Sequence, residues 1–333
     1  MKNALDSEHV ADLAPVGLNL LNRFEITKVI GRGGFGQIYR GKDLTTSKLV
    51  AIKLENPGRE YLDNEVAVLK ALKGKDGICQ LYAYGHHSNF NFIVMDLLGH
   101  DLSKIVHCMP GGSFTSTTSL RLGQQILRAI EYLHSAGYIH RDIKPSNFAL
   151  GAFRHNKRKV YMFDFGFSKY YRTEARRSNE PGTASAFVGT VKYASINAHQ
   201  KKELTPVDDL WSFLYMLVYL TEGELPWEGE TDFKEVCKIK ESFDHLTLIR
   251  RMPRDFRFFL EELLKIKGYR RPNYPRLHRI IKRCLRRRGV EENDPYDFDV
   301  SREELIEIQQ IPTLSRSSKS CKTSFPSQLQ SFF

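Results

Sequence analysis

The chain contains little cysteine, five residues among 333. The five are far apart, no two form a Cys-x-x-Cys pair, and their number is odd, so the spacing indicates neither a disulfide framework nor a zinc site. Such usage is typical of a reducing compartment. We therefore expect the protein in the cytoplasm, with the nucleus as a second location. The cysteines are Cys79, Cys108, Cys237, Cys284 and Cys321.

Long hydrophobic runs are also missing. The longest lies at residues 211–220, whereas a helix needs about 20 apolar residues to cross a bilayer. The first residues show no apolar segment behind a basic start, which predicts that no secretory leader is present. Hydrophobic residues nevertheless make up 41% of the chain, which is enough for a substantial core. We expect a globular protein that does not insert into membranes.

Acidic residues are outnumbered, with 39 Asp and Glu against 50 Lys and Arg, and the net charge is +11. This balance favours acidic or phosphorylated protein partners as well as nonspecific polyanions. Two basic runs, 154–159 and 282–288, could bind nucleic acid or the acidic tails of microtubules, although such runs are more often solvated faces. The chain has no zinc-finger or aromatic platform motif, which disfavours nucleic acid.

Residues 23–98 are typical of a small β-rich lobe. Their β-branched and aromatic residues cluster in short segments that turn residues separate. One helix is expected at about residues 59–72, where Leu62, Val66 and Leu69 follow helical spacing. Packing on the sheet fully explains why these three residues are apolar.

Residues 99–299 predict a larger, mainly helical lobe. Apolar residues repeat at helical spacing from 120 to 133, and residues 211–220 are apolar on all sides, as in a helix buried at the centre of a lobe. The fold class is therefore α+β with two lobes. An extension at 1–22 precedes them. A serine-rich basic tail at 300–333 follows; we expect it to be disordered, and its serines are candidates for self-phosphorylation.

A glycine-rich segment, Gly-x-Gly-x-x-Gly, lies at residues 31–36. Glycine lets backbone amides approach phosphate oxygens where a side chain would obstruct them. In a dinucleotide-binding fold a helix would follow, but here residues 37–39 continue as a second strand. The segment therefore predicts a hairpin that covers nucleotide phosphates, with an ordinary hairpin turn as the alternative.

A lysine on a strand follows the glycines. The β-branched segment 50–52 ends at Lys53, and Glu65 lies on the expected helix. The amine would hold the α- and β-phosphates of a nucleotide while Glu65 pairs with it. A lone strand lysine is usually solvated surface. Its place between the glycine segment and a helical glutamate favours the functional interpretation.

The most specific signal is His-Arg-Asp-x-Lys-x-x-Asn at residues 140–147, followed by Asp-Phe-Gly at 164–166. At residue frequencies of about 5%, five fixed letters arise by chance in roughly one such chain in ten thousand. Phosphoryl transfer needs mainly alignment and neutralisation of charge, and these residue types supply both. The motifs predict transfer of a phosphoryl group from Mg-ATP to a hydroxyl. We expect His140 to brace the loop and to take no proton.

Each of the other side chains has an expected role. Asp142 would accept the proton of the substrate hydroxyl, and Lys144 would steady the γ-phosphate. Asn147 and Asp164 would hold the magnesium ions. Thr190 would bond to both Asp142 and Lys144.

Together these motifs form the protein-kinase signature set, and residues 31–271 resemble eukaryotic protein kinases. Lys144, two residues after Asp142, is similar to the serine/threonine branch. The resemblance implies a bilobal protein kinase fold with ATP and Mg²⁺ between the lobes, Met95 as the gatekeeper and residues 96–98 as the hinge. The nucleotide-binding residues that we expect are Ile30, Gly31, Arg32, Gly33, Gly34, Phe35, Gly36, Gln37, Ile38, Ala51, Lys53, Met95, Asp96, Leu98 and Ala149.

The Ala-Pro-Glu tripeptide that closes the activation segment of most kinases is absent from the sequence. The chain has Ser-Ile-Asn at 195–197 instead, and asparagine cannot form the buried ion pair that the glutamate makes. Ser-Ile-Asn resembles the casein kinase 1 group. The resemblance is closest to the tau-tubulin kinase family, which implies tubulin or microtubule-associated substrates and Asp209 as an anchor of the catalytic loop. We expect a monomer. The stretches that carry this likeness are 64–70, 144–149, 194–199 and 208–212.

Casein kinase 1 enzymes often favour substrates that are already acidic or phosphorylated. Lys192 keeps one basic position of the relevant pocket, but residues 228–231 add negative charge where that group has a lysine. We therefore expect no strict dependence on a priming phosphate. Arg141 could bind an activation-loop phosphate, yet kinases of this group generally work without one, so unphosphorylated protein should be active. The available sites are Thr173, Ser178, Thr183 and Ser185.

A pseudokinase or scaffold is the alternative. Such a protein keeps the fold and would use its basic surface to bind acidic partners. Pseudokinases usually lose Lys53, Asp142 or Asp164, and this chain retains all three. The retained residues favour an enzyme.

Overall fold

The computed structural model describes residues 11–33, 36–58, 61–171, 186–266 and 270–299. Several sequence predictions concern other residues and stay predictions. They are Gly34 and Phe35 of the glycine segment, the candidate phosphorylation sites between 173 and 185, and the tail at 300–333.

The N-terminal lobe is an antiparallel sheet with one helix beside it. The strand order is β1-β2-β3-β4-β6-β5. One face of the sheet buries Phe24, Ile26 and Tyr39 against the apolar residues between 13 and 20. The elements are β1 (Asn19–Leu20), β2 (Phe24–Gly33), β3 (Gly36–Asp43), β4 (Leu49–Glu55), α1 (Tyr61–Ala71), β5 (Leu81–His87) and β6 (Phe90–Asp96).

Helix α1 presents the predicted apolar stripe to the core. Leu62, Val66 and Leu69 are all buried, which confirms the helical interpretation of their spacing. The described helix covers residues 61–71, and residues 59 and 60 of the predicted range lie outside the described residues. The carboxylate of Glu55 accepts a hydrogen bond from the backbone amide of Leu62 at 3.1 Å, so a strand residue satisfies one of the free amides in the first turn.

The C-terminal lobe is mainly helical. It begins with β7 (Leu98–Asp101), α2 (Leu102–Cys108) and the long helix α3 (Ser116–Ser135). Four short strands follow: β8 (Tyr138–Ile139), β9 (Phe148–Gly151), β10 (Val160–Met162) and β11 (Lys169–Tyr170). The later described helices are α4 (Ile196–His199), α5 (Pro206–Glu222), α6 (Phe233–Ser242), α7 (His245–Leu248), α8 (Arg257–Lys265) and α9 (Tyr274–Arg286).

Helix α5 is buried along most of its length and contains the predicted buried run 211–220. Its ends follow from local chemistry. Thr205 and Asp208 form a capping box around Pro206, and Gly223 ends the helix in the left-handed region at φ 84°. Although residues 211–220 of α5 are apolar on all sides, no helix in the described part of the chain is long and apolar enough to cross a membrane.

The hairpin of β9 and β10 brings the two strongest sequence motifs together. Phe148 opposes Met162 in the register, and the backbone amide of Phe163 donates to the carbonyl of Asn147 at 3.1 Å. Asn147 therefore lies at the same end of the hairpin as Asp164. The architecture confirms a two-lobed α+β fold, with these residues where the lobes meet.

Candidate active site

An ion cluster joins the two lobes. Nζ of Lys53, on β4, lies 2.6 Å from Oε2 of Glu65, on α1, and 3.2 Å from Oδ1 of Asp164. Burial alone would lower the pKa of Lys53, but the two carboxylates outweigh this effect, so its pKa lies above the usual value. Burial raises the pKa of Asp164, but Lys53 and weaker neighbouring charges together lower it, so its pKa lies below the usual value. The cluster therefore holds a charged amine and an ionised Asp164 next to each other.

The catalytic loop around Asp142 is held by a closed set of side-chain contacts. Asp142 accepts hydrogen bonds from the Thr190 hydroxyl at 2.7 Å and from Nδ2 of Asn147 at 3.3 Å, and its Oδ2 lies 2.7 Å from Nζ of Lys144. Lys144 also donates to Thr190 at 3.1 Å. The bonds expected of Thr190 are therefore present, and they orient the Asp142 carboxylate between an amine and a hydroxyl.

Asp209, in the first turn of α5, anchors the backbone of this loop. Its carboxylate accepts from the backbone amides of His140 at 2.6 Å and Arg141 at 2.9 Å, and its Oδ2 lies 2.8 Å from Nε2 of His134. Burial would raise the pKa of Asp209, but these partners keep it below the usual value. A buried, ionised carboxylate on the central helix thus fixes the loop from below, as the family resemblance implied.

His140 occupies a structural position. It is fully buried, its Nδ1 accepts from the backbone amide of Asp142 at 3.3 Å, and its ring centroid lies 5.6 Å from that of Phe165. Burial lowers the pKa of His140, so the ring is neutral near pH 7. It braces the loop, as expected from the sequence.

Glycine is required at position 189 by a close backbone approach. Gly189 has φ +112°, and a Cβ at this position would lie 2.5 Å from the carbonyl oxygen of Arg141. Real Cβ atoms do not come this close to backbone. The approach brings Thr190, the next residue, within hydrogen-bond distance of the Asp142 carboxylate.

Asn147 and Asp164 suit the magnesium role that we expect for them. Nδ2 of Asn147 donates to the Asp142 carbonyl at 2.8 Å. The amide oxygen of Asn147 is therefore the atom of this side chain that can bind a metal ion. Asp164 supplies carboxylate oxygens. Mg²⁺ prefers oxygen ligands and commonly takes one or two carboxylates together with substrate phosphates, so this donor set fits the ion.

The sheet register places the predicted nucleotide-binding residues of the N-terminal lobe on one face. Ile38 pairs with Lys53, and Ala51 pairs with Met95. Residues two apart on a strand share a face, so these four side chains share one. Gly33 pairs with Gly36 at the described end of the hairpin, so the glycine segment joins two antiparallel strands, β2 and β3. Ile30 and Gly31 precede this turn on β2.

The hinge after β6 is shaped by its own side chain. Asp96 accepts from the backbone amide of Gln80 at 2.8 Å and from the Tyr82 hydroxyl at 2.5 Å. Its carboxylate is therefore engaged by residues 80 and 82, and its backbone amide donates to the carbonyl of Gln80 at 3.1 Å. Leu98 begins β7, which pairs with β9, where Ala149 is buried.

Two side chains of the glycine hairpin are turned away from the expected ligand. The side chain of Gln37 bonds to the backbone of Ala11 and Leu13 at 2.8 Å each, and Arg32 forms an ion pair with Asp12. At these positions the side chains contact the N-terminal segment. Only the backbone of Arg32 and Gln37 remains to approach a nucleotide.

Asn64 is a site residue that sequence reasoning did not single out. It precedes Glu65 on α1, and its Nδ2 faces the carbonyls of Phe165 at 3.1 Å, Gly166 at 3.0 Å and Ser168 at 2.7 Å. The amide thus ties α1 to the segment that carries Asp164. A polar residue next to Glu65 was the only signal, and it is a weak one.

Lys240 is a second residue that was not predicted. It is fully buried on α6, and its Nζ donates to the carbonyls of Val191 at 2.7 Å and Ala194 at 2.8 Å and lies 3.2 Å from Nε2 of His199. The amine thus fixes the backbone of segment 189–194, directly after the residue that bonds to Asp142. One lysine in a helix with several lysines gave no sequence signal.

In place of the missing ion pair, the Ser-Ile-Asn sequence makes hydrogen bonds from uncharged donors. The Ser195 hydroxyl and Nδ2 of Asn197 donate to Oδ1 of Asp208 at 2.8 and 3.0 Å, while Oδ2 accepts from Thr205. Burial raises the pKa of Asp208. The end of the segment is therefore tied to the start of α5 through one buried carboxyl group.

Comparisons with known proteins agree with this arrangement. A family model described as the protein kinase domain matches residues 24–284. A probable serine/threonine-protein kinase of Dictyostelium discoideum is 34% identical over 286 residues, which are 85% of this chain and 58% of that relative. The chain therefore spans less than two thirds of the length of that relative.

Proposed function

The chain belongs to the protein kinase family, and we propose that it transfers the γ-phosphoryl group of ATP to serine and threonine hydroxyls of protein substrates. One observation carries the proposal. The Lys53 cluster with Glu65 and Asp164 is assembled in the same structure in which Thr190 and Lys144 orient Asp142. Alignment and charge neutralisation, which phosphoryl transfer mainly needs, are thus available at once.

The side chains of this site divide the work of the transfer. Charged Lys53 holds the α- and β-phosphates, and Lys144 stands beside Asp142, where the γ-phosphoryl group meets the substrate. The substrate hydroxyl gives its proton to Asp142 as its oxygen bonds to phosphorus, and the leaving ADP oxygen keeps the electron pair of the broken bond. Asn147 and Asp164 would hold Mg²⁺, which would neutralise phosphate charge when bound.

Segment 189–194 supports the binding of a protein substrate next to Asp142. Thr190 bonds to the catalytic carboxylate, and the following backbone is held at two carbonyls by Lys240 and at the Lys192 carbonyl by Nε1 of Trp227 at 2.8 Å. A fixed platform of this kind keeps an incoming hydroxyl in line. The serine/threonine preference rests on Lys144 and on the likeness to the Dictyostelium relative.

The surroundings of Lys192 support substrates that carry no priming phosphate. Nζ of Lys192 is paired with Glu228 and lies 3.7 Å from the ring centroid of Tyr219. Its charge is therefore already compensated. Casein kinase 1-like specificity, microtubule-associated substrates, a monomeric state and a cytoplasmic or nuclear location belong to the same proposal and rest on the sequence alone.

The scaffold alternative gains little from the structure. In the run 154–159, Arg158 lies 2.7 Å from Asp299, and in the run 282–288, Arg287 lies 2.8 Å from Asp255. Part of the charge that was expected to bind acidic partners is thus used within the chain. We keep the enzyme as the proposed function.

Replacing the proposed proton acceptor tests the function directly. Purified protein is incubated with radiolabelled ATP, Mg²⁺ and a serine/threonine peptide array, with and without priming phosphates. We expect transfer by the wild type and, for Asp142→Asn, a rate lower by roughly 100- to 10,000-fold, because the variant cannot accept the proton. Equal and negligible rates for both proteins would favour the scaffold instead.

A further inference from the structure

We propose that Gln37 is a positioning residue for ATP, which acts by fastening the glycine hairpin to the N-terminal strap, residues 11–14. The inference rests on the proposed kinase function, since it concerns the affinity of the same nucleotide site. It gives a role to the N-terminal extension and to a side chain that was expected to touch the ligand.

The Gln37 side chain replaces the hydrogen bonds of a neighbouring strand. Its Oε1 accepts from the backbone amide of Leu13, and its Nε2 donates to the carbonyl of Ala11, both at 2.8 Å. The Tyr39 hydroxyl donates to the same Oε1 and accepts from the backbone amide of Ala14 at 3.2 Å. One amide group thus serves two residues of the strap at once.

The strap contacts the hairpin close to the end of its described part. Arg32 and Gln37 are opposite each other in the register, and the next pair is Gly33 with Gly36. Asp12 of the strap pairs with Arg32, so both strands of the hairpin are held at the same level. Ile38, on the cleft face, follows Gln37 directly, and any tilt of the hairpin moves it relative to a bound base.

Burial decides which of these contacts matters. Arg32 and Asp12 have side chains that are 51% and 46% exposed, and such a pair contributes little because water screens it. Gln37 is only 3% exposed, and without it the amide of half-buried Leu13 and the carbonyl of exposed Ala11 lose their protein partner. The strap itself is anchored by Ala14, which is 1% exposed in the core of the lobe. Gln37 therefore contributes more than the Arg32–Asp12 pair to holding the hairpin against the strap.

The variant Gln37→Met keeps the length of the side chain and removes its three hydrogen bonds, to Leu13, Ala11 and Tyr39. We expect the Kd of a nonhydrolysable ATP analogue, measured by calorimetry on the full chain, to rise about five-fold. A change of this size corresponds to the net contribution of about one hydrogen bond. KM for ATP should rise by the same factor, with kcat at saturating ATP changed less. Hydrogen exchange of residues 30–38 should accelerate. Asp12→Asn should change these quantities little.

Gln125→Met is a matched control. Gln125, on α3, also accepts from a backbone amide, that of Val160 at 2.9 Å, and donates to a backbone carbonyl, that of Arg158 at 3.1 Å. It lies in the other lobe, away from the glycine hairpin. Its replacement removes a similar set of hydrogen bonds. We therefore expect a comparable loss of thermal stability, with native affinity for the ATP analogue.

Tyr39→Phe keeps the experiment decisive if Gln37→Met does not fold. It preserves the ring and removes the hydroxyl that links Ala14 to Gln37, and we expect a smaller rise in Kd, of about two-fold. Wild-type protein that fails to bind the analogue would refute the kinase function. Wild-type binding together with native affinity and native exchange in the folded Gln37 or Tyr39 variant would refute the role of the strap alone.

Discussion

Lys240 carries an amine into the interior of the C-terminal lobe with carbonyls and an imidazole as its partners. The ring centroids of Tyr215 and Trp227 lie 5.2 and 4.9 Å from its Nζ. Burial lowers the pKa of Lys240 to about 7. The same burial lowers the pKa of neighbouring His199 to about 4, so the imidazole is neutral near pH 7 and remains able to accept from the amine.

The lowered pKa predicts a pH-dependent stability. In the unfolded chain the lysine has its ordinary pKa of 10.5. Between pH 7 and about pH 10 the unfolded state therefore binds more protons than the folded state, and the free energy of unfolding rises with pH by at most about 1.4 kcal/mol per pH unit. Urea unfolding between pH 7 and 10 should show this rise in the stability of the wild type relative to Lys240→Met, because the other titrating groups are common to both proteins.

Lys238→Met is the control for this measurement. Lys238 lies on the same helix; its side chain is 68% exposed, and its amine pairs with Glu235 at 2.6 Å. This variant should keep the wild-type pH dependence. If Lys240→Met also kept it, the titration of Lys240 would not be its source.

At the scale of elements, segment 189–194 depends on one glycine. Gly189 passes so close to the carbonyl of Arg141 that an added Cβ would force the two backbones apart. The contact between Thr190 and Asp142 would then be lost. A substitution at Gly189 should therefore displace the segment without unfolding the lobe, because other residues form the core around helix α5.

The variant Gly189→Ala should lower kcat on the order of 100-fold, since a displacement of about 1 Å is enough to misalign a reacting group. Steady-state kinetics with a peptide substrate measures it, and thermal unfolding should show that the fold persists. Gly229→Ala is the control: its Cβ would meet nothing within 4 Å, and its activity should equal that of the wild type. Native kcat in Gly189→Ala would contradict the expected close approach.

Spacing alone predicted the existence of the main helices but not their ends. The apolar repeat at 120–133 lies within α3, which extends from Ser116 to Ser135. Its first turn is capped by the Thr115 hydroxyl, which accepts from the backbone amide of Thr118 at 3.2 Å. A polar cap has no place in an apolar repeat, so the repeat marks only the part of the helix that faces the core.

At the scale of the whole molecule, the two lobes are connected without a phosphate. Nε of Arg141, the residue available for an activation-loop phosphate, donates to the carbonyl of Phe167 at 2.6 Å, and its backbone amide is held by Asp209. Lys53 already pairs with Glu65 and Asp164. The contacts that phosphorylation often organises in kinases are thus present in the chain as it stands.

We therefore expect phosphatase-treated protein to be active from the first turnover, with no lag in product formation. Replacing the four activation-loop sites at 173, 178, 183 and 185 by alanine should keep kcat within about three-fold, a difference of about 0.6 kcal/mol or less. Rapid-quench kinetics with mass spectrometry of the starting material measures this. A lag that disappears after incubation with an upstream kinase would contradict it.

The residues of the proposed phosphoryl transfer could be named from the sequence, whereas the contacts that support them could not. Asp142, Lys144 and Asn147 could be identified because they lie in one loop, where local spacing determines which side chains meet. The supporting contacts join distant positions: Gln37 to Leu13 across 24 residues, Lys240 to Ala194 across 46 and Asn64 to Gly166 across 102. Such pairs leave no periodic pattern, because only the packing of separate elements brings them within hydrogen-bond distance.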